Sequence, residues 1–570
     1  MAETSNFAAV RALPATFTVI SLLAVPGMAG AAAERTESPV RTPAPDARVV
    51  KESYVRLHAP MPESSPEHAE ACDWVSYLRF RHADGPRRSP RADAVLTLMP
   101  GIFAGGGSFD QVARHTIRRA ARRDRHVEVW GIERRSNCLE HHRGVRAGVR
   151  TGDPRVSFGY YFEGREVNGH TFPGFADEQE AAFLRDVGIA RTIEDWHTII
   201  TREIPSQRKR QRKLICGGHS LGGPLTAALA SWDFDGDAET TEDAGYEQCA
   251  AFVGLDTTVS LSGADGDGAG GGILTQAAAQ SGASPFVNAP PLTPETLLAP
   301  ALIGVTAFQK PDEETLVTQL TPRDPEWELT QRLLFSRNPQ DFATGSPSIR
   351  DFRVSNAAAL AAIFDDNSSP ISIFRASVGM YTGGPLVDKT FPAHDPTLAA
   401  PDEPHGPLYG WQNYSRVGAN GAELELNDDG DPYTSRDSEV TDVRQLGRAL
   451  YQFPANFIET YFPTRLVTEF AAMSGGDRSG DLENMVHDGP AMRPILLVQA
   501  GDSDSNDAAA DTGPTQTGEK PNDKELSREA ILPGYNHLDV ATAAWRQNDG
   551  RAEGSSRELA RFLLKVTRRR

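Results

Sequence analysis

No stretch of this 570-residue chain is apolar for long enough to cross a membrane comfortably. The longest candidate, Ala15 to Val25, falls short of the ~20 residues that a helical span needs. Basic charge is also in short supply: 58 Lys and Arg against 77 Asp and Glu leave a net charge of -19. That excludes a polyanionic partner such as nucleic acid, whose binding rests on a concentrated cationic face. Cysteine is scarce, with four residues and no Cys-x-x-Cys, so there is no redox or zinc-ribbon signal. Internal repeats are lacking as well. Apolar residues are not: 39% hydrophobic and 24% charged is a globular composition, and the length suffices for a large core.

The leading residues carry Arg11, the apolar run to Val25 and small residues at Ala29, Ala31 and Ala33, a pattern that resembles a secretory signal peptide over 1–33. Cleavage is expected near Ala32 or Glu34, with an N-terminal anchor or a disordered tail as the alternatives, and the protein is expected to be secreted or held in the cell envelope. Disulfides are then permitted. Cys72 and Cys138, which flank predicted strands at the start of the sheet, are the expected pair. Cys216 and Cys249 are expected at opposite ends of neighbouring parallel strands, too far apart for the ~4.4–6.8 Å Cα spacing of a bridge. The basic runs Arg118 to Arg125 and Gln207 to Lys213 read as solvated surface. Cys138 with His141 and His142 reads as a loop, not a metal site.

After a Pro- and charge-rich linker over 34–65, expected to be disordered, strands and helices alternate. CDWVSYLRFRH and DAVLTLMPG read as strands, Gln111 to Arg123 as a helix, and HVEVWGIE as a buried strand. Ile193, Trp196, Ile199 and Ile200 line one face of a helix that leads into the strand KLICGG. A further strand, CAAFVGLDTTV, ends the first part, 66–260, and the rhythm predicts a parallel sheet. The aromatic, Pro-punctuated stretch 261–490 reads as an inserted, mainly helical cap. The core returns over 491–570 with RPILLVQAGDSDSND, then His537, then a last helix.

Gly218-His219-Ser220-Leu221-Gly222 fits the G-x-S-x-G elbow, in which a tight strand-to-helix turn presents a serine at a strained backbone angle. Glycines are needed at its flanks because side chains there would strike the neighbouring strand and helix. The following helix turns its N-terminal amides toward the reacting oxygen.

With the buried strand before it, the helix after it and partners in the order Ser, acid, His, the chain resembles the α/β-hydrolase superfamily, in particular its secreted bacterial esterase- and lipase-like members. The resemblance covers about 72–260 and 490–565. It implies an α/β fold with a mostly parallel sheet flanked by helices, and an enzyme that cleaves carboxylic esters through an acyl-serine without a cofactor or metal. Ser220 is then the nucleophile and His537 the base. Gly501-Asp502-Ser503-Asp504 matches the family's strand, Gly-x-x-Asp pattern and favours Asp504 as the acid. Asp502 is the close alternative and Asp507 a distant one; Asp256 is a fourth candidate, read first as a strand-end residue under the cap. The oxyanion hole would use the Leu221 amide and one from PGIFAGGG, from Ile102 in preference to Phe103.

Other readings remain open. DSDSND, NDDGD at Asn427 and the Gly/Asp run Asp265 to Gly272 lack the spacing of a calcium loop. A peptidase, thioesterase or acyltransferase would share the triad, and a binding or envelope protein could keep the fold without turnover. The expected partner is a small-molecule or lipid ester, with no nucleic acid and no stable membrane span after processing.

Overall fold

Along one strand, Val95 and Met99 enter one apolar cluster, while Ala94, Leu96 and Leu98 enter another. A strand buried on both faces requires this division, and it organises the whole protein. The computed structural model describes residues 34–261, 276, 278–280, 282–419, 424–503, 526–547 and 550–568. Arg35–Arg570 forms one compact unit. The leader reading, Asp504, Asp507 and the run Asp265 to Gly272 lie outside the described residues.

In chain order the first strands are β1 (Arg35–Pro39), β2 (Val50–His58), β3 (Trp74–His82), β4 (Ala94–Met99), β5 (Val127–Glu133), β6 (Leu214–His219) and β7 (Ala251–Leu255). The segment after β7 adds five short strands in two small sheets: β8 (Arg353–Val354), β9 (Gly379–Thr382), β10 (Leu386–Asp388), β11 (Ala399–Pro401) and β12 (Leu408–Asn413). β13 (Ile495–Ala500) and β14 (Arg528–Leu532) complete the main sheet, whose order is β1-β2-β3-β5-β4-β6-β7-β13-β14. From β5 to β14 every pairing is parallel; β1, β2 and β3 run antiparallel at one side. This is the α/β-hydrolase fold that the sequence implied, a mostly parallel sheet flanked by helices.

Helices α1 (Asp110–Ala121), α2 (Ile189–Glu203), α3 (Gly222–Ser231), α4 (Pro294–Gln309), α5 (Asn356–Phe364), α6 (Val443–Leu450) and α7 (Ser555–Arg568) carry most of the packing. Val112 and Ile117 of α1 join Leu559 and Leu563 of α7 in one cluster on the sheet. The expected α2 stripe, Ile193, Trp196, Ile199 and Ile200, joins Leu225 and Leu229 of α3 in the other. The basic run at the end of α1 is structural: Arg118, Arg119 and Arg122 stand 4.0, 4.7 and 4.9 Å from the centroid of the Trp545 ring.

Three expectations are corrected. The stretch read as a disordered linker supplies β1 and β2: in β2, Val55 and Leu57 bury in one apolar cluster and Val50 in the other, despite the surrounding charge, and β1 pairs along its edge. The inserted region is not one segment: Val145, Phe158 and Tyr160, from the connection between β5 and β6, share a core cluster with Leu302, Leu360 and Leu446 of the later insertion. Cys216 and Cys249 are bridged, with Cα atoms 6.0 Å apart. Ile215 pairs with Ala251, so both cysteines lie near the beginnings of their parallel strands, not at opposite ends. The expected bridge Cys72–Cys138 is present, with a Cα separation of 5.1 Å.

Candidate active site

Three non-glycine residues at the ends of core strands have left-handed backbone: Phe103 after β4 (φ 51°), Ser220 after β6 (φ 52°) and Asp256 after β7 (φ 44°). That conformation is unfavourable for L side chains and persists only where the surroundings impose it. The three strand ends lie side by side in the sheet, so the strain is concentrated at one place.

At Ser220 the imposing contacts are explicit. A Cβ on Gly218 would strike the Gly222 backbone, and one on Gly222 would strike the Met99 carbonyl, so β6 and α3 approach as closely as only glycine allows. A Cβ on Gly101 would come within 2.9 Å of the Ser220 Cβ, which sets the loop after β4 directly against the serine. Ser220 N–H donates to the Leu255 carbonyl at 3.2 Å. Among the described residues, the Ser220 hydroxyl and the amides of Ile102 and Leu221 have no hydrogen-bond partner.

His537 follows β14 and the turn Pro533-Gly534, and precedes the short helix Asp539–Thr542. Its Nδ1 meets Asp256 Oδ2 at 2.6 Å, which leaves Nε2 free to take a proton. The His219 Nε2–H donates to the His537 carbonyl at 2.9 Å, and the two rings lie 4.5 Å apart. His219, within the elbow itself, therefore ties the second histidine to the elbow. Burial, followed by the neighbouring His537 charge, pushes His219 down to about 3, so it works as a neutral donor.

Asp256 is held as firmly. Its N–H donates to the Val498 carbonyl at 2.7 Å, and its Oδ1 accepts from Ala500 N–H at 2.9 Å. Burial alone would raise its pKa, but the hydrogen bond and charge of His537, with bonds from Ala500 and Ser503, hold it below the usual carboxylate range.

Among the described residues the carboxylate on His537 is Asp256, the candidate read first as a strand-end residue, and not Asp502; Asp504 lies outside the described residues. Asp502 is exposed and accepts from Gly534 N–H at 3.2 Å, bracing the turn before His537. β13 ends beyond β7 as seen from β6, so its loop meets the start of the histidine turn, and the imidazole reaches back over β7.

Sequence reasoning missed the support of the loop after β4. Arg134, almost fully buried, donates to the carbonyls of Pro100 (3.0 Å), Gly101 (2.7 Å) and Ala104 (2.7 Å), and to Glu459 Oε2 (2.7 Å). Glu459, from the insertion, also donates its N–H to the Phe103 carbonyl at 2.9 Å. Neither residue belongs to a local motif; the one available signal was Arg134 at the end of a fully buried strand. The half-buried side chains of Ile102, Leu261, Ile373, Phe374 and Ile458 pack on the same cluster as Leu221 and Phe103.

Two disulfides are compatible with an extracellular protein. Among the described residues no helix is long and apolar enough to cross a membrane. No family model matches the chain, and no curated protein does. Solved structures with which it shares a likeness include a lipase candidate from Sulfolobus solfataricus, at 11% identity and a TM-score of 0.37, covering 91% of this chain and 95% of that one. An alpha/beta hydrolase from Penicillium sp. sh18 shares 10% identity at a TM-score of 0.30, covering 94% and 99%. An epoxide hydrolase from Vigna radiata shares 11% identity at a TM-score of 0.29, covering 87% and 95%.

Proposed function

We propose that the protein is a serine hydrolase that cleaves carboxylic esters outside the cell through an acyl-Ser220 intermediate. The contact that carries this reading is Asp256 Oδ2 on His537 Nδ1, with His537 seated against the serine elbow by His219. Asp256 orients the imidazole and stabilises its cation. His537 Nε2 then takes the Ser220 hydroxyl proton as Oγ bonds to the ester carbonyl carbon. The carbonyl electron pair moves onto oxygen, where the Leu221 and Ile102 amides receive it. As the tetrahedral species collapses, the C–O bond to the alcohol breaks and the alcohol leaves with the proton from His537. Water repeats the sequence on the acyl-serine, releasing the acid. In unliganded sites such serine–histidine contacts are often open and tighten when substrate binds. The apolar side chains around Leu221 favour esters with an apolar acyl or alcohol group.

The test is covalent labelling by a fluorophosphonate, run beside p-nitrophenyl ester hydrolysis. The full chain is expected to label and to turn over, and Ser220→Ala to do neither. A wild-type protein that neither labels nor turns over, or a Ser220→Ala variant that does both, would overturn the reading.

A further inference from the structure

Four buried or nearly buried carboxylates gather where the insertion meets the loop carrying His537: Asp365 and Asp366 just after α5, Glu439 before α6, and Asp539. Among the described residues none of them forms an ion pair. Asp539 is fully satisfied, accepting from Asn536 N–H at 2.7 Å, Ser377 N–H at 2.9 Å and the Thr441 hydroxyl at 2.5 Å. Asp365 has partners on both oxygens, whereas among the described residues Asp366 and Glu439 each keep one buried oxygen without a partner.

Asp365 accepts from the N–H groups of Val378 and Gly379 at 3.1 and 3.2 Å, and from that of Asn367 at 3.0 Å. Asp366 Oδ2 accepts from Asn536 Nδ2 at 2.6 Å and the Ser377 hydroxyl at 3.0 Å, but its Oδ1 is buried without a partner. Glu439, 0% exposed, accepts from the Thr434 hydroxyl through Oε1, while Oε2 has no partner. Asn367 Oδ1 is likewise buried and unpaired. One oxygen from each of Asp365, Asp366 and Glu439 lies within 4.8 Å of the others. Oxygens bound at about 2.3–2.6 Å to one calcium ion stand no farther apart than about twice that radius. Three carboxylates at such spacing repel strongly in a low-dielectric interior, and a buried oxygen without a donor calls for a partner.

We propose that Asp365, Asp366 and Glu439 form a binding site for a hard divalent cation, calcium, at the junction of the insertion and the His537 loop. The donors are all oxygen, which selects calcium or magnesium over zinc or copper. They belong to an irregular arrangement of loop residues, which calcium tolerates and octahedral magnesium does not. Through Asp366 and Asn536, one residue before His537, the ion ties the catalytic loop to the insertion. A second acidic group, Asp233, Asp235 and Asp243, meets the same spacing. Its oxygens, however, accept from the N–H groups of Phe234, Asp235 and Gly236 in an exposed turn, which asks for no ion.

The test uses metal-stripped full-length protein, calcium chloride titrations followed by calorimetry and thermal unfolding, and needs no ester hydrolysis. It therefore stands or falls apart from the proposed activity. Wild type is expected to bind one buried calcium and to melt several degrees higher with it. Glu439→Gln and Asp365→Asn are expected to lose both effects, and Asp235→Asn to keep them. A terbium-soaked wild-type crystal places the ion by anomalous scattering even if the variants fail to fold. No calcium binding by wild type, binding retained in both site variants, or terbium located away from these three carboxylates would each overturn the proposal, the first leaving protons to neutralise the cluster.

Discussion

Asp256 Oδ2 stands 2.6 Å from His537 Nδ1, joining the end of β7 to the loop after β14 across 281 residues of sequence. An imidazole that loses this partner turns to the wrong tautomer, which lowers turnover by ~10⁴ when the geometry survives. Asp256→Asn is therefore expected to lose several orders of magnitude in kcat. Asp502→Asn, at a side chain that accepts from Gly534 N–H in the turn before His537, is expected to lose at most about tenfold, near 1.4 kcal/mol. Steady-state kinetics on p-nitrophenyl esters decides between them. A dead Asp502→Asn beside an active Asp256→Asn would exclude this triad.

The elbow was legible because its constraints are local: Gly218, Ser220 and Gly222 interact with one another and with the strand and helix they join. The sheet was legible from the rhythm of buried runs such as Ala94–Met99. The acid was not, because several carboxylates follow core strands and only the three-dimensional path of the His537 loop selects among them. Gly501 to Asp504 carried a familiar local pattern, yet the imidazole reaches the neighbouring strand. Cys216–Cys249 depended on register for the same reason: a parallel pairing of Ile215 with Ala251 brings both cysteines to one end of the sheet. Arg134 and Glu459 fit no local motif because their partners, the carbonyls of the loop after β4 and each other, are far apart in sequence.

Ser220 has φ 52°, a conformation that disfavours any residue with a Cβ by about 1 kcal/mol and glycine hardly at all. Ser220→Gly is expected to be inactive and more stable than wild type by roughly that amount, whereas Ser220→Ala keeps the strain and melts close to wild type. Urea unfolding of the two variants measures the difference. Equal stability for Gly and Ala would mean that the elbow does not strain its serine.

His219 predicts a pH dependence of known sign. Its folded-state value, pushed down to about 3 by burial and by His537, lies below the ~6.5 of an unfolded histidine. Between these values the unfolded chain binds a proton that the folded chain does not, so the contribution is full above about pH 6.5 and is lost as pH falls. Asp256, with its depressed value, adds a loss that begins only below about pH 4. His219→Gln keeps a donor for the His537 carbonyl but cannot titrate. The stability difference between wild type and His219→Gln is expected to fall with decreasing pH by about 1.4 kcal/mol per unit between pH 6 and 4. Denaturant midpoints at several pH values give the slope, and a flat difference would show that His219 carries its proton in the folded protein.

Arg134 reaches the carbonyls of Pro100, Gly101 and Ala104 with one planar fork while pairing with Glu459. Lysine preserves the charge opposite Glu459 but offers a single point donor, so Arg134→Lys leaves buried carbonyls unpaired at about 1–3 kcal/mol each. The loop holding the Ile102 amide then loosens. An amide that stabilises the oxyanion acts in the transition state and not on bound ester, so kcat is expected to fall ~10²-fold with KM little changed. Binding of a boronate analogue, which places an oxygen where the oxyanion forms, is expected to weaken by the same factor. A lower melting temperature with kcat and boronate affinity intact would reduce Arg134 to a packing residue; parallel losses in both would tie the loop after β4 to the chemistry at Ser220.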